Sequence, residues 1–181
     1  MYWPQKGPVN TDQTIALALQ RARELGINHL VVASCSGATA KKLAGRDLQV
    51  VCVSHQAGFT GPGEDEMPAA ARAELTAAGV RVLTSTHLLG GVDRGVRNKF
   101  GGVYPAEIIA QTLRMLGQGL KVCVEIAVMA LDAGMLPAGR EIIAIGGTGT
   151  GADTAAVLAP AHASHFFDTK IKEIICKPRE F

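Results

Sequence analysis

The chain has 181 residues, enough for one domain with a sizeable core. Hydrophobic residues make up 48% of it but aromatics only 4%, and this filling of Ala, Val, Ile, Leu and Gly suits buried parallel strands under Ala-rich helices. A formal net charge of +2 gives no support to nucleic-acid or anionic-membrane binding, and the four cysteines, Cys35, Cys52, Cys123 and Cys176, have neither paired metal spacing nor a small secreted framework.

The start, Met1-Tyr2-Trp3-Pro4-Gln5-Lys6, carries no apolar signal core, so a cytoplasmic protein is expected. Asn10, with Gln13 three residues on, resembles a capping box and predicts a helix to about Leu25, ended by Gly26. His29–Ala33 is the first strand, followed by a short helix from Gly37 to Leu43 that Gly45 closes. Strand two is Leu48–Ser54, and the Gly- and Pro-rich segment Gln56–Pro68 reads as a loop over the strand edge. A helix over Ala69–Ala78 stops at Gly79, and strand three is Val80–Thr84. His87–Tyr104, holding Gly90, Gly91, Gly95, Gly101 and Gly102, reads as a second long loop of functional length.

Pro105 starts a helix to Leu116 that breaks at Gly117-Gln118-Gly119 and resumes as an apolar helix reaching Leu136. Lys121, Glu125 and Asp132 share one narrow stripe of this helix, which excludes a membrane span and predicts a supporting Lys121–Glu125 pair. Burial on its other sides requires a sheet with further helices or a second subunit, and a homo-oligomer is expected. Glu141–Gly146 is strand four, while Thr154–Leu158 and Lys172–Cys176, with Pro160 between them, fit strand or helix. Neither a repeat nor a linker interrupts the pattern, so residues 1–181 form a single domain. Alternating strands and helices predict an α/β layered domain with a mostly parallel sheet, to which the last segments add an antiparallel edge.

Four apolar runs end in bursts of Gly, Ser, Thr and His: Ser34–Thr39, Ser54–Gly61, Thr84–His87 and Gly146–Asp153. If the runs are parallel strands, the bursts meet along one edge, where α/β sheets bind their ligands. They offer N–H groups, hydroxyls and imidazoles with almost no carboxylate, a surface for phosphate. Ser34, Cys35, Ser36, Gly37 and Thr39 form the first cradle, with Lys41 and Lys42 adding charge. Gly147, Thr148, Gly149 and Gly151 form a second, a loose dinucleotide-type fingerprint, with Asp153 either accepting from a sugar or ribityl hydroxyl or capping the next element. His55, Gly58, Phe59, Thr86 and His87 supply the ring side, and binding outranks catalysis because no carboxylate is close in sequence to orient either histidine. The loop Arg94–Lys99 is either solvated or a lid that neutralises a phosphate or folds over a planar ring with Phe59. Cys35 and Lys41 have the spacing of a phosphatase loop, but Lys lacks the bidentate fork of Arg, so Cys35 reads as a small lining residue first and a nucleophile second. His162-x-x-His165 with Asp168 lacks a further ligand, and no metal site is expected.

Gly7-Pro8-Val9-Asn10-Thr11, Val32-Ala33-Ser34, His55-Gln56-Ala57-Gly58-Phe59, Phe100-Gly101-Gly102, the run Lys121–Ala130 and Gly146-Gly147-Thr148-Gly149 together resemble a family of stand-alone proteins related to the C-terminal α/β domain of pyruvate kinase. The resemblance implies a three-layer α/β/α fold, a mixed sheet with an antiparallel edge strand, and flavin mononucleotide (FMN) as cofactor. It implies no kinase activity, since the catalytic barrel of about 250 residues does not fit in this chain. Ser34–Thr39 is similar to the sugar-phosphate loop of that domain, with Cys35 where relatives tend to carry Thr. Three functions follow as expectations: a phosphate-ligand (FMN) binder of unknown reaction, a regulatory module sensing a sugar phosphate or nucleotide through a partner subunit, and a Cys35-dependent phosphatase.

Overall fold

The computed structural model describes residues 1–181 as one seven-stranded sheet with helices on both faces. The strands are β1 (Tyr2–Trp3), β2 (His29–Ala33), β3 (Gln49–Ser54), β4 (Arg81–Thr84), β5 (Ile142–Gly146), β6 (Thr154–Ala159) and β7 (Lys170–Pro178). The helices are α1 (Thr11–Leu25), α2 (Ala38–Lys41), α3 (Ala69–Ala77), α4 (Gly91–Phe100), α5 (Pro105–Arg114) and α6 (Gln118–Asp132), with 3-10 turns at Pro8–Asn10 and Ala163–Asp168. Spatial order is β1-β7-β6-β5-β2-β3-β4. Strands β4, β3, β2 and β5 run parallel, β6 is antiparallel to both neighbours, and β1 runs parallel to β7. The two C-terminal segments that fit strand or helix are therefore both strands, joined as an antiparallel addition beside β5.

The central strands are apolar on both sides because helices cover both faces. In β2, Leu30 and Val32 point into a core shared with Ile15, Leu19, Leu43 and Leu75 of the α1–α3 face. Val31, between them, points the other way, into a core shared with Leu120, Val124, Ala127 and Leu131 of α6. This is the period-two alternation of a strand, with a hydrophobic layer on each side. Each fully buried Leu or Ile contributes about 1.5–3 kcal/mol relative to exposure.

Helix α6 lies unusually close to the sheet. A Cβ on Gly119 would collide with the Thr154 side chain, and one on Gly146 would sit 2.6 Å from the Gly119 carbonyl. No helix is long and apolar enough to cross a membrane.

Three local expectations are corrected. Asn10 stands at the N-cap of α1, but its side chain makes no capping bond; its Nδ2 donates to the carbonyls of Gln5 (2.8 Å) and Gly7 (3.3 Å), closing the turn before the helix. The segment His87–Tyr104 is not one long loop, because Gly91–Phe100 forms α4. Five glycines around and within it masked an amphipathic pattern that leaves no residue of α4 buried. The short helix after β2 spans four residues rather than reaching Leu43.

Candidate functional site

Chain order around the sheet places the site. The connections from β2 to β3 and from β3 to β4 run through α2 and α3 on one face, whereas the chain reaches β5 through α6 on the other. β2 and β5 are neighbours in the sheet, so the loops leaving their carboxyl ends part there and open a crevice. A cleft of about 750 Å³ occupies it, within the size range of small-molecule and cofactor sites. Three of the four expected bursts, those after β2, β3 and β5, contribute several lining residues each; the burst after β4 contributes His87.

Part of the cleft lining is made of backbone and hydroxyls. Ser34, Cys35, Ser36 and Thr39 line it. The N–H groups of Ser36, Gly37 and Ala38 donate to nothing else in the chain. Ser34, by contrast, is committed to structure: its Oγ accepts from the N–H of Thr39 (3.1 Å) and Ala40 (3.4 Å). It shapes the turn and is not a free donor. Opposite, Gly147, Gly149, Thr150 and Gly151 also line the cleft, and the N–H groups of Gly149, Thr150 and Gly151 are unspent. Gly151 packs so tightly on Pro8 and Thr11 that a Cβ there would meet Thr11 Oγ1 at 2.5 Å, which seats this loop against the start of α1.

Another part of the lining is aromatic. His55 stacks on Phe59 with ring centroids 3.9 Å apart, and His87 lies 5.2 Å from His55 and 5.4 Å from Phe59. Burial holds the His87 imidazole below its ordinary range, against the opposing pull of Glu125. Sequence distance concealed a carboxylate here: Glu66, from the loop after β3, bonds His55 Nδ1 at 2.6 Å. Burial pushes the Cys35 thiol up, outweighing the His55 backbone amide that favours the thiolate, and Glu66 adds to the rise. An activated nucleophile would need the opposite shift, so the arrangement gives the phosphatase reading no support.

The charge in the cleft differs from expectation. Lys41 is paired with Glu74, and Lys42 with Asp12 at 2.7 Å, so neither lysine is an unspent cation. Positive charge comes instead from Arg94 on α4, Arg114 at the end of α5 and Lys121 on α6. Lys121 is buried and ion-paired with Glu125, whose Oε1 accepts the Leu89 N–H at 2.8 Å. Burial holds the Lys121 ammonium below its ordinary range despite that partner. The charged stripe on α6 was legible from spacing, but that it faces the ligand edge was not. Nothing in the sequence pointed to Glu66 or Arg114.

Five expected site residues stand apart from the cleft lining. Gly37 starts α2 with its Cα toward Leu75 and Ala71, and Gly58 turns the chain so that its N–H reaches the Glu64 carbonyl. Thr86 is exposed. The Thr148 hydroxyl is buried without a partner. Asp153, fully buried, does not offer its carboxylate to a ligand: it accepts from Gly7 N–H (2.9 Å), Thr148 N–H (3.2 Å) and Thr154 Oγ1 (2.8 Å). This corrects its reading as a sugar-hydroxyl acceptor; it ties the loop after β5 to the N-terminal segment. His162 pairs with Asp132 at 2.7 Å, and the H-x-x-H segment gathers no cluster of three ligating groups.

Residues 12–158 of this chain match the family described as the pyruvate kinase alpha/beta domain.

Proposed function

The chain belongs to the pyruvate kinase alpha/beta domain family, and we propose that it binds a phosphate-bearing planar ligand, FMN foremost, in the cleft at the carboxyl ends of β2, β3 and β5. The phosphate rests on the Ser36 and Ala38 N–H groups and the Ser36 hydroxyl, with Arg94 and Arg114 as the available cations. The loop Gly149–Gly151 donates to the ribityl chain, and the flavin ring packs against His55, Phe59 and His87. One observation carries this reading: unspent N–H donors and an aromatic trio line the same cleft of about 750 Å³. No reaction is assigned to the site: Cys35 lies beside His55, but burial raises its thiol instead of favouring the thiolate.

Titration with FMN and riboflavin, read by quenching of flavin fluorescence, tests the proposal. FMN binds more tightly than riboflavin, and Ser36→Glu, an exposed position, abolishes the difference by placing a like charge where the phosphate sits. Absence of saturable quenching at high micromolar flavin overturns it.

A regulatory role through a partner is favoured by α4. This helix carries Arg94 into the cleft and is tethered to Glu125 through Leu89, yet exposes Val92 (80%) and Phe100 (73%) to solvent. A thermal-shift panel of phosphometabolites separates the readings: stabilisation by a sugar phosphate but not by flavin favours the sensor.

A further inference from the structure

Cys35, His55 and Glu66 come from three separate segments of the chain: the turn after β2, the end of β3, and the loop that folds back before α3. One donor atom of each (sulfur, ring nitrogen, carboxylate oxygen) lies within 4.8 Å of the other two. All three side chains line the cleft and all are partly buried. Cys35 is a free thiol. From this juxtaposition we propose that Cys35, His55 and Glu66 form a three-ligand site for a divalent transition metal of zinc type, set in the wall of the cleft.

The donor set selects the ion. One thiolate, one imidazole and one carboxylate suit a borderline-soft cation that accepts four-coordinate geometry, and three protein ligands leave one position open. Oxygen-seeking calcium or magnesium would not choose a sulfur. Bonds of about 2.0–2.3 Å in a tetrahedral site set the donors about 3.3–3.8 Å apart, so a pair at the 4.8 Å limit closes by about an ångström, while His55 Nδ1 and Glu66, hydrogen-bonded at 2.6 Å, open to admit the ion. On binding, the Cys35 S–H bond breaks, its proton goes to solvent, and the sulfur's electron pair forms the bond to the ion. The open position faces the cleft, where water or an oxygen of a bound ligand completes the shell. The other three cysteines are each fully buried and share no such cluster.

Cobalt(II) titration of chelator-treated protein tests the site, because a cobalt–thiolate bond gives charge-transfer absorption in the near ultraviolet and tetrahedral cobalt gives intense visible bands. One equivalent per chain should produce both, and zinc should bleach them by competition. Cys35→Ser should lose the charge-transfer band, and Glu66→Gln should weaken cobalt binding at least about tenfold, with far-ultraviolet circular dichroism confirming the fold of each. His162→Ala, outside the cleft, should leave the titration unchanged. No thiolate band at excess cobalt, or an equal band in Cys35→Ser, overturns the proposal. The site rests on ligand geometry and not on the flavin reading, so a protein that binds cobalt but no flavin retains one and refutes the other.

Discussion

The Lys121–Glu125 pair offers a quantitative test of how the cleft is built. The two side chains are only 9% and 7% exposed, so removing one strands the other's charge in a poorly solvated wall. Lys121→Met leaves Glu125 with the Leu89 N–H as its one remaining partner. Breaking a buried pair from one side costs about 3–5 kcal/mol, and water in the adjoining cleft argues for the lower end. Glu125→Gln strands the ammonium but keeps an acceptor for Leu89, so its cost should be similar. The double variant Lys121→Met/Glu125→Gln removes both charges and preserves that acceptor, which should bring stability back to within about 1 kcal/mol of the starting protein. Urea unfolding of the four proteins closes the cycle, with a coupling energy of about 5 kcal/mol and unchanged denaturant slopes. In a chain of this size, a loss of 3 kcal/mol appears as a melting shift of about 6–12 °C. If Lys121→Met alone falls within about 0.5 kcal/mol of the parent, or the double variant loses the sum of the singles, the pair is a solvated surface bridge and the account of the cleft wall fails.

Gly119→Ala should destabilise by about 2–4 kcal/mol, since its Cβ would collide with Thr154 and push α6 off β6; a variant melting like the parent refutes the close approach. Asp153→Ala orphans the N–H groups of Gly7 and Thr148 and should cost about 2–3 kcal/mol in urea unfolding, while also weakening ligand binding by freeing the loop after β5. Burial pushes the Cys52 thiol up to about 12, whereas an unfolded cysteine ionises near 8.5. Its folded form therefore keeps a proton that the unfolded chain releases, and its contribution to stability is whole at neutral pH and is lost as pH rises from about 9 toward 12. The stability gap between the parent and Cys52→Ala should accordingly narrow across that range, and a gap independent of pH counts against the shift. Phe59→Ala, at a partly exposed position stacked on His55, should weaken FMN and riboflavin alike by about tenfold, corresponding to the stacking worth of one aromatic contact; an effect on FMN only would place the phosphate, not the ring, beside Phe59.

What could be read from the chain and what could not divide along a physical line. The strands were legible because burial on both faces forces continuous β-branched runs, and His29–Ala33 falls on its strand without adjustment. The loops after β2, β3 and β5 were legible because turns at a sheet's carboxyl edge require Gly, Ser and Thr, whatever ligand they serve. Charge was not, since whether a lysine is free depends on a partner brought from elsewhere: Lys42 meets Asp12 across 30 residues, and Glu66 finds His55 only when the loop after β3 folds back. The same limit hid α4, whose glycines signal a loop locally but whose helix is fixed at both ends by side chains distant in sequence: Glu125 takes the Leu89 N–H before it, and Arg97 reaches Glu107 of α5. Tertiary partners therefore decide two things together, which cations face the ligand and which element carries them. A sequence motif of hydroxyls and glycines marks where a phosphate edge lies, but the donors left unspent on that edge are set by the pairs that form everywhere around it.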